Sequence, residues 1–262
     1  STSQYGMLPV MFRLTPVGGP HDQGATLAQR GRHRRTKGSP LMAKLYFRYG
    51  AMNSGKSTAL LQAAYNYEER GQRVLLAKPV VDTKGDRMIV SRLGVTREVD
   101  VVITPTTDVV DMVDKEAARI AAAENTSVSC LLVDESQFLS PRQVDDLLMV
   151  ALRRDIPVLA YGIRTDFQTV AFPGSRRLLE IAHSLEELKT ICRCGRKAMF
   201  NGRTLNGDFV FDGAQVAIDG DQVTYESLCG VCYLDESGGR LASGYAPLTG
   251  ATEVMGPDPD FS

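Results

Sequence analysis

The sequence is short of several features that would point to particular classes of protein. It has no tryptophan, which carries no functional information, and its net charge of −1 provides no overall attraction to nucleic acids or membranes. No apolar run approaches the length of a transmembrane helix. Five cysteines in 262 residues do not form a secreted disulfide framework. The rest of the composition, 43% hydrophobic and 23% charged, is typical of a soluble globular protein with one α/β domain and a smaller second domain.

Residues 1–41 differ from the rest of the chain. They are rich in Gly, Pro, Gln and Arg, with basic side chains clustered at positions 30–37 and Asp22 as the only acid. Such a segment cannot bury enough apolar surface to offset the entropy of ordering. We interpret it as a disordered leader from cloning or a mis-assigned start, or as a natural tail, because Met42 directly precedes the first predicted strand. An Arg-rich targeting peptide and a nucleic-acid-binding arm are the alternatives.

Residues 50–57 read G-A-M-N-S-G-K-S and match the phosphate-binding pattern G-x-x-x-x-G-K-[ST] in full. The glycines let backbone N–H groups point inward at phosphate oxygens. Lys56 is placed to reach the β- and γ-phosphates, and the Ser57 hydroxyl to ligate Mg²⁺. A β-prone segment precedes the loop, and a helix-forming segment closed by Gly71 follows it. We therefore predict an ATP-type site formed by Gly50, Ala51, Met52, Asn53, Ser54, Gly55, Lys56 and Ser57.

Strand and helix patterns alternate from Lys44 to about Leu188, which predicts the α/β class with a mainly parallel sheet covered by helices on both faces. The predicted strands are 45–49, 73–78, 99–103, 128–133 and 157–161. One helix is predicted from about Asp108 to Glu124, and another after Ser140, where an N-cap, Pro and Gln combine. The predicted domains are a nucleotide-binding domain at 42–188, a cysteine-bearing domain at 189–235 and a flexible tail at 236–262.

Two acids follow the apolar segment S-C-L-L-V at residues 129–133. A buried strand there would place Asp134 beside the phosphate loop, where it can hold Mg²⁺ through water or through Ser57. Glu135 is then placed to act as a base on the group that attacks the γ-phosphate. A strand that simply ends in solvated acids is the alternative.

Four of the five cysteines form two close pairs, C-R-C-G at 192–195 and C-G-V-C at 229–232. Four thiolates suit tetrahedral Zn²⁺, and a site with no open position is structural. Two disulfides or four free thiols are the alternatives. We predict that Cys130 is a buried core thiol and that His183, on a helix, packs or faces solvent. The predicted metal ligands are Cys192, Cys194, Cys229 and Cys232.

These segments, in this order, resemble the type II thymidine kinases. The resemblance covers roughly residues 42–235 and also rests on Y-G-I-R-T-D-F at 161–167, F-P-G-S at 172–175 and Y-E-S-L-C-G-V-C-Y at 225–233. It implies a P-loop (RecA-like) domain with a small zinc-ribbon or lasso domain. Two positions depart from the family pattern, since Gly230 stands where Arg is usual and Asp219 where Gly is usual.

The resemblance implies transfer of the γ-phosphoryl group of ATP to the 5′-hydroxyl of thymidine, with Glu135 as the catalytic base. The ATP site would comprise residues 50–57 together with Asp134, Glu135, Ser136 and Gln137. A lasso loop at about 202–225 would cover the nucleoside. The side chains implied to contact thymidine are Phe138, Phe167, Tyr225, Asp86 and Arg87.

The same resemblance implies structural Zn²⁺, Mg²⁺ bound with ATP, a cytoplasmic homotetramer and feedback inhibition by dTTP, with neither nucleic acid nor membrane as partner. Two other functions stay open. Asp-Glu-x-Gln after a phosphate loop also occurs in helicases, although about 150 residues cannot supply a second motor lobe. A zinc-ribbon binding module with a regulatory nucleotide site is the other alternative, and the complete set of Lys56, Ser57, Asp134 and Glu135 argues against it.

Overall fold

The computed structural model describes residues 42–80, 87–213 and 223–244. All of them belong to the second of the two units into which the chain divides, which begins at Leu41. The predicted leader, Asp86, Asp219 and the end of the predicted tail lie outside the described residues. The domain boundaries proposed from the sequence stay predictions.

The described residues form alternating strands and helices, followed by a run of short strands. In chain order the elements are β1 (Leu45–Tyr49), α1 (Lys56–Glu68), β2 (Arg73–Pro79), β3 (Met88–Val90), β4 (Thr96–Glu98), β5 (Val101–Ile103), α2 (Val109–Glu124), β6 (Val128–Val133), a 3₁₀ turn (Ser136–Phe138), α3 (Pro141–Arg154), β7 (Val158–Gly162), α4 (Pro173–Ile181), β8 (Ser184–Glu187), β9 (Thr190–Ile191), β10 (Lys197–Ala198), β11 (Phe200–Leu205), β12 (Asp208–Val210), β13 (Val223–Leu228) and α5 (Gly230–Ser237).

The central sheet has six strands in the order β5-β2-β6-β7-β1-β8, and every neighbouring pair is parallel. Parallel strands need crossover connections, and the helices that supply them cover both faces. Leu45 and Phe47 of β1 point to the face covered by α2, α3 and α4. Leu60 and Ala64 of α1 pack on the opposite face, against Val74 of β2 and its neighbours. The predicted α/β class, with helices on both faces of a parallel sheet, is confirmed.

Local sequence signals set the beginnings of two helices. The Asp108 side chain accepts a hydrogen bond from the Asp111 N–H at 2.9 Å and caps α2. At α3 the Ser140 hydroxyl accepts from the Gln143 N–H at 3.2 Å, and the Gln143 side chain accepts from the Ser140 N–H at 3.1 Å. The predicted capping box is therefore confirmed. The Gln143 amide also donates to the Thr104 carbonyl at 2.8 Å, which ties α3 to the end of β5.

Some sequence predictions of secondary structure need correction, and several elements, the β3–β4 hairpin among them, were not predicted. The predicted strand 99–103 begins only at Val101, because the Val99 N–H donates to the Arg87 carbonyl and so continues the β3–β4 hairpin. The edge strand β8 was not predicted, since its sequence S-L-E-E is mostly exposed and lacks a core face. His183 is not helical. It follows the end of α4, and its Nδ1 accepts a hydrogen bond from the Leu45 N–H at 3.0 Å.

A small cysteine-bearing region follows β8. It contains the β9–β10 hairpin, the antiparallel sheet β12-β11-β13 and α5. Its core is small, and Tyr233 of α5 packs there at a ring distance of 5.1 Å from Phe200. Gly230, the departure from the family pattern, is the first residue of α5. Among the described helices, none combines the length and apolar character needed to cross a membrane.

Candidate active site

The phosphate loop leaves the carboxyl end of β1 and runs into the N-terminus of α1. Gly50 has no room for a side chain, because a Cβ atom there would lie 2.4 Å from the Ser54 hydroxyl oxygen and 2.6 Å from the Leu188 carbonyl oxygen. Gly55 precedes α1 with φ of 77°, a left-handed conformation that glycine adopts without strain. The loop therefore presents backbone N–H groups at a helix N-terminus, which is the arrangement that binds phosphate.

Lys56 is buried within this loop. Its ammonium group donates to the Ala51 carbonyl at 2.9 Å and lies 3.5 Å from the Ser54 hydroxyl. Burial lowers the pKa of Lys56, and the nearby carboxylates of Glu135 and Asp134 oppose that shift. The lysine is thus held inside the loop by acceptors that a phosphate oxygen can replace.

Asp134 follows β6, two strands away from β1 in the sheet. Its carboxylate accepts a hydrogen bond from the Ser57 hydroxyl at 3.2 Å. Burial, together with the adjacent Glu135 carboxylate, raises the pKa of Asp134 to about 6. A hydroxyl and a carboxylate are both hard oxygen donors, which is the ligand chemistry that Mg²⁺ prefers. The pair therefore fits a magnesium ion bound with a nucleotide.

Glu135 has a left-handed backbone conformation, with φ of 49°. Such a conformation is uncommon for a residue other than glycine and persists only where surrounding contacts impose it. Here the next residues form a 3₁₀ turn, in which the Ser136 hydroxyl donates to the Tyr161 carbonyl at 2.8 Å. The Gln137 amide donates to the Glu135 carboxylate and accepts from the Ile163 N–H at 3.1 Å. The turn consequently directs Glu135 into a cavity.

Gly174 lies in the first turn of α4 and packs directly on this 3₁₀ turn. A Cβ atom at Gly174 would lie 2.4 Å from the Ser136 carbonyl oxygen and 2.8 Å from that of Leu139. We therefore expect Gly174→Ala to cost about 1–3 kcal/mol of unfolding free energy, as overpacking does, and to displace Glu135. Thermal unfolding and kcat measure the two effects. Arg176→Ala, an exposed change in the same helix, serves as the control and should alter neither; an unchanged kcat and melting temperature in Gly174→Ala would refute the packing argument.

A cavity of about 460 Å³ opens between the phosphate loop, the 3₁₀ turn and the cysteine-bearing region. The sequence-predicted site residues that line it are Met52, Asn53, Gly55, Lys56, Ser57, Glu135, Gln137, Phe138, Phe167 and Tyr225. The structure thus brings together phosphate-loop residues, Glu135 and three aromatic side chains that are far apart in the chain. The remaining members of the predicted ATP site, outside this lining, are Gly50, Ala51, Ser54, Asp134 and Ser136.

Arg87 does not line the cavity. Its guanidinium forms an ion pair with Glu98 at 3.0 Å and donates to the carbonyls of Val99 and Asp100. These contacts hold Arg87 at the base of the β3–β4 hairpin. Asp86, the other predicted contact from this segment, is outside the described residues.

Other cavity residues were missed by the sequence reasoning. They are Thr58, Lys78, Val90, Arg92, Ile163, Thr165, Asp166, Phe172 and Asn201. The positions after β7 had a usable signal, because side chains that follow a parallel strand at its carboxyl end commonly form the ligand site. Asn201 had none, since it lies within β11 of the other region.

The aromatic side of the cavity is held by specific contacts. Phe138 packs edge-on against Phe172 with ring centroids 5.5 Å apart. The Arg203 guanidinium lies 3.7 Å from the centre of the Phe167 ring, and the Tyr233 hydroxyl donates to the Phe167 carbonyl at 2.7 Å. A compartment lined by aromatic rings in fixed positions suits a planar heterocycle.

The four paired cysteines converge. The sulfur atoms of Cys192, Cys194, Cys229 and Cys232 all lie within 4.8 Å of one another. The Cys232 N–H donates to the Cys229 sulfur at 3.5 Å, which with other cysteine contacts lowers the pKa of Cys229 to about 6. Four sulfur donors this close together are the ligand set of a closed tetrahedral metal site. This cluster confirms that the cysteines can hold a metal ion together.

The comparisons with known proteins agree with this geometry. A family profile described as "Thymidine kinase" matches residues 43–233. The chain belongs to the thymidine kinase family. A curated "Thymidine kinase" of Ruegeria pomeroyi is 46% identical over 206 residues, which are 78% of this chain and 100% of the relative. Its namesake in Legionella pneumophila is 45% identical over 205 residues, 78% of this chain and 95% of the relative. A third, from Rhodopirellula baltica, is 47% identical over 190 residues, with coverages of 72% and 86%.

The match confirms the resemblance found in the sequence and identifies the chain as an enzyme of the thymidine kinase family. It extends from before the phosphate loop to past the fourth paired cysteine. A thymidine kinase therefore accounts for both regions of the chain together, and neither the helicase fragment nor the zinc-ribbon module is needed to explain them.

Proposed function

We propose that this thymidine kinase transfers the γ-phosphoryl group of ATP to the 5′-hydroxyl of thymidine and yields dTMP and ADP. The observation that carries the proposal is one cavity lined at once by Lys56, by Glu135 and by the aromatic side chains Phe138, Phe167 and Tyr225. Phosphoryl transfer needs little covalent chemistry from the protein, which must align the two substrates, neutralise charge and exclude water. The family assignment supports both substrates.

The ATP site in this proposal comprises residues 50–57 and 134–137. The phosphate oxygens would accept hydrogen bonds from the loop N–H groups, and Lys56 would exchange the Ala51 carbonyl for a phosphate oxygen. Ser57 and Asp134 would hold Mg²⁺, which neutralises phosphate charge when it is bound. Binding a cation beside Asp134 favours its ionised form and so offsets the effect of burial on its pKa.

Glu135 is the proposed catalytic base. Its carboxylate lines the cavity and is oriented by the Gln137 amide, so that it can accept the proton of the attacking 5′-hydroxyl. The left-handed backbone at Glu135 is the kind of local strain found at active sites. Lys56 lies near enough to influence this carboxylate electrostatically and balances its charge.

The nucleoside would occupy the aromatic compartment formed by Phe138, Phe167 and Tyr225. A thymine ring presents two apolar faces for these side chains and a polar edge that the lasso backbone can pair. Asp86 and Arg87 remain proposed contacts from the segment after β2. Arg87 lies outside the cavity, so a contact with thymidine would require its ion pair with Glu98 to break.

The remaining features follow the family resemblance. We propose that Zn²⁺ in the cysteine site is structural, that the enzyme is a cytoplasmic homotetramer and that dTTP inhibits it as the end product. The near-neutral charge of the chain supports the absence of a nucleic-acid partner. Size-exclusion chromatography with light scattering tests the tetramer, and inhibition assays with dTTP test the feedback.

Product analysis with Mg·ATP and single nucleosides tests the proposed reaction directly. We expect stoichiometric dTMP and ADP with thymidine and at least about tenfold less product with deoxycytidine, because the wrong base edge leaves buried polar groups unpaired. Deoxyuridine, uridine and a reaction without acceptor complete the set. ADP formed without nucleoside and stimulated by single-stranded DNA would instead indicate a nucleic-acid motor.

A further inference from the structure

Asn201 links the phosphate loop to the wall of the aromatic compartment. Its side-chain oxygen accepts a hydrogen bond from the Met52 N–H at 2.7 Å, and its side-chain nitrogen donates to the Thr165 carbonyl at 2.8 Å. The residue itself is 3% exposed, and both hydrogen bonds are partly buried. A buried amide with both ends satisfied has one stable orientation. Met52 and Thr165 therefore cannot move independently without breaking one of these two hydrogen bonds.

A second contact joins the same residue of the loop, Met52, to the cysteine-bearing region through the next peptide group. The Ser227 hydroxyl of β13 donates to the Met52 carbonyl. Asn53 donates in addition to the Tyr225 carbonyl at 3.4 Å. Asn201 on β11 and Ser227 on β13 are paired across the two strands. Their side chains therefore bond the Met52 N–H and the Met52 C=O from neighbouring positions of one sheet. The phosphate loop is consequently bonded to β11 and to β13, the strand that carries Tyr225.

The segment on the far side of Asn201 belongs to the aromatic compartment. Thr165 and Phe167 both line the cavity, and the Phe167 carbonyl accepts from Tyr233 of the cysteine-bearing region. A nucleoside that packs on Phe167 and Tyr225 would hold this segment and β13 still. Through Asn201, the same restraint reaches the N–H of Met52 in the phosphate loop.

From these contacts we propose that Asn201 is a positioning residue that couples the two substrate sites, so that thymidine binding orders the phosphate loop and strengthens ATP binding. This inference rests on the proposed function. The first ligand to bind bears the entropy cost of ordering Met52, Asn201 and Thr165. The second ligand then binds to residues that are already ordered. Because coupling between two sites is reciprocal, ATP must strengthen thymidine binding by the same factor.

Calorimetric titration of a non-hydrolysable ATP analogue, with and without saturating thymidine, measures this coupling as a ratio of dissociation constants. For the unaltered enzyme we expect a ratio of about five or more, the lower end of typical allosteric coupling. Asn201→Asp keeps the acceptor for Met52 but sets a carboxylate oxygen against the Thr165 carbonyl. We expect its ratio to fall to nearly one; the added charge acts on the analogue affinity both with and without thymidine, so it cancels from the ratio.

Two further variants separate coupling from general stability. Thr204→Val removes the hydroxyl contact with Thr224 on the same pair of strands without touching Met52 or Thr165, and it should keep the full ratio. Ser227→Ala removes the hydrogen bond to the Met52 carbonyl and should also lower the ratio of dissociation constants. It therefore tests the inference if Asn201→Asp does not fold. Bound zinc and the melting temperature are measured for each variant to confirm folding.

The outcomes are distinguishable. An unchanged ratio in folded Asn201→Asp, or in Ser227→Ala if the first variant does not fold, overturns the inference. So does a ratio of one in the unaltered enzyme. If the enzyme binds and phosphorylates thymidine but shows no coupling, the proposed function stands and only the proposed role of Asn201 is wrong. If the unaltered enzyme neither binds nor phosphorylates thymidine, the proposed function is wrong, and the inference about Asn201 is wrong as well.

Discussion

Glu135→Gln is expected to lower kcat with thymidine by about 10²–10⁴-fold, the usual contribution of a positioned general base. The affinity for an ATP analogue should change by less than about threefold. Glutamine has nearly the same shape and can still accept the hydrogen bond from Gln137, so the turn and the cavity should persist. What is lost is the carboxylate that receives the proton of the 5′-hydroxyl. Steady-state kinetics and calorimetry measure the two quantities.

Glu116→Gln supplies the matched control, because Glu116 lies on α2 and pairs only with the surface residue Arg119 among the described contacts. It should leave both kcat and ATP-analogue affinity unchanged. Equal losses of binding and turnover in Glu135→Gln would show that Glu135 supports the ATP site and is not the base. Full activity in that variant would remove Glu135 from the chemistry altogether.

Replacing Cys194 and Cys229 together by serine is expected to abolish zinc binding and enzyme activity. Structural zinc contributes roughly 10–16 kcal/mol of apparent binding free energy in small domains, far more than the small core around Tyr233 can replace. That region also carries Asn201 and Tyr225, which line the cavity. Elemental analysis gives the zinc content, and circular dichroism with turnover assays reports folding and activity.

Cys130→Ala is the control for the loss of a cysteine. Cys130 is fully buried in the core beneath α1, away from the metal cluster, and burial raises the pKa of its thiol to about 12. This variant should lose some stability through the cavity it creates but keep one zinc ion per chain. A zinc-free double variant that remains fully active would contradict the structural role of the metal.

Much of the fold was predictable because its signals are local. The capping signal at Ser140 acts within three residues of the helix that it begins and formed as expected, and the helix predicted from about Asp108 begins there, with Asp108 as its N-cap. The strands Leu45–Tyr49 and Val128–Val133 were predicted to the residue, since turn, polar or charged residues bound each β-prone segment. The edge strand β8 lacked such a signal, because its hydrogen bonds to β1, and not its side chains, hold it in the sheet.

The active-site prediction divides in the same way. The phosphate loop, Glu135 and the paired cysteines can be predicted from short sequence patterns, because their chemistry requires particular side chains at short intervals. The positions of Arg87 and Asn201 carry no such pattern. Arg87 forms an ion pair with Glu98 because the β3–β4 hairpin, which was not predicted, brings the two residues together. Asn201 reaches Met52 across 149 positions of the chain.

The sequence by itself determined the class of fold, the phosphate-binding and metal-binding motifs and the family resemblance, because these depend on local backbone geometry and on the chemistry of neighbouring residues. Only the tertiary structure decided which of those residues share a cavity. It also showed that the cysteine-bearing region forms hydrogen bonds to the phosphate loop. Such contacts depend on the packing of distant segments and on burial, and hydrogen bonds through buried side chains such as Asn201 are specified by that packing alone.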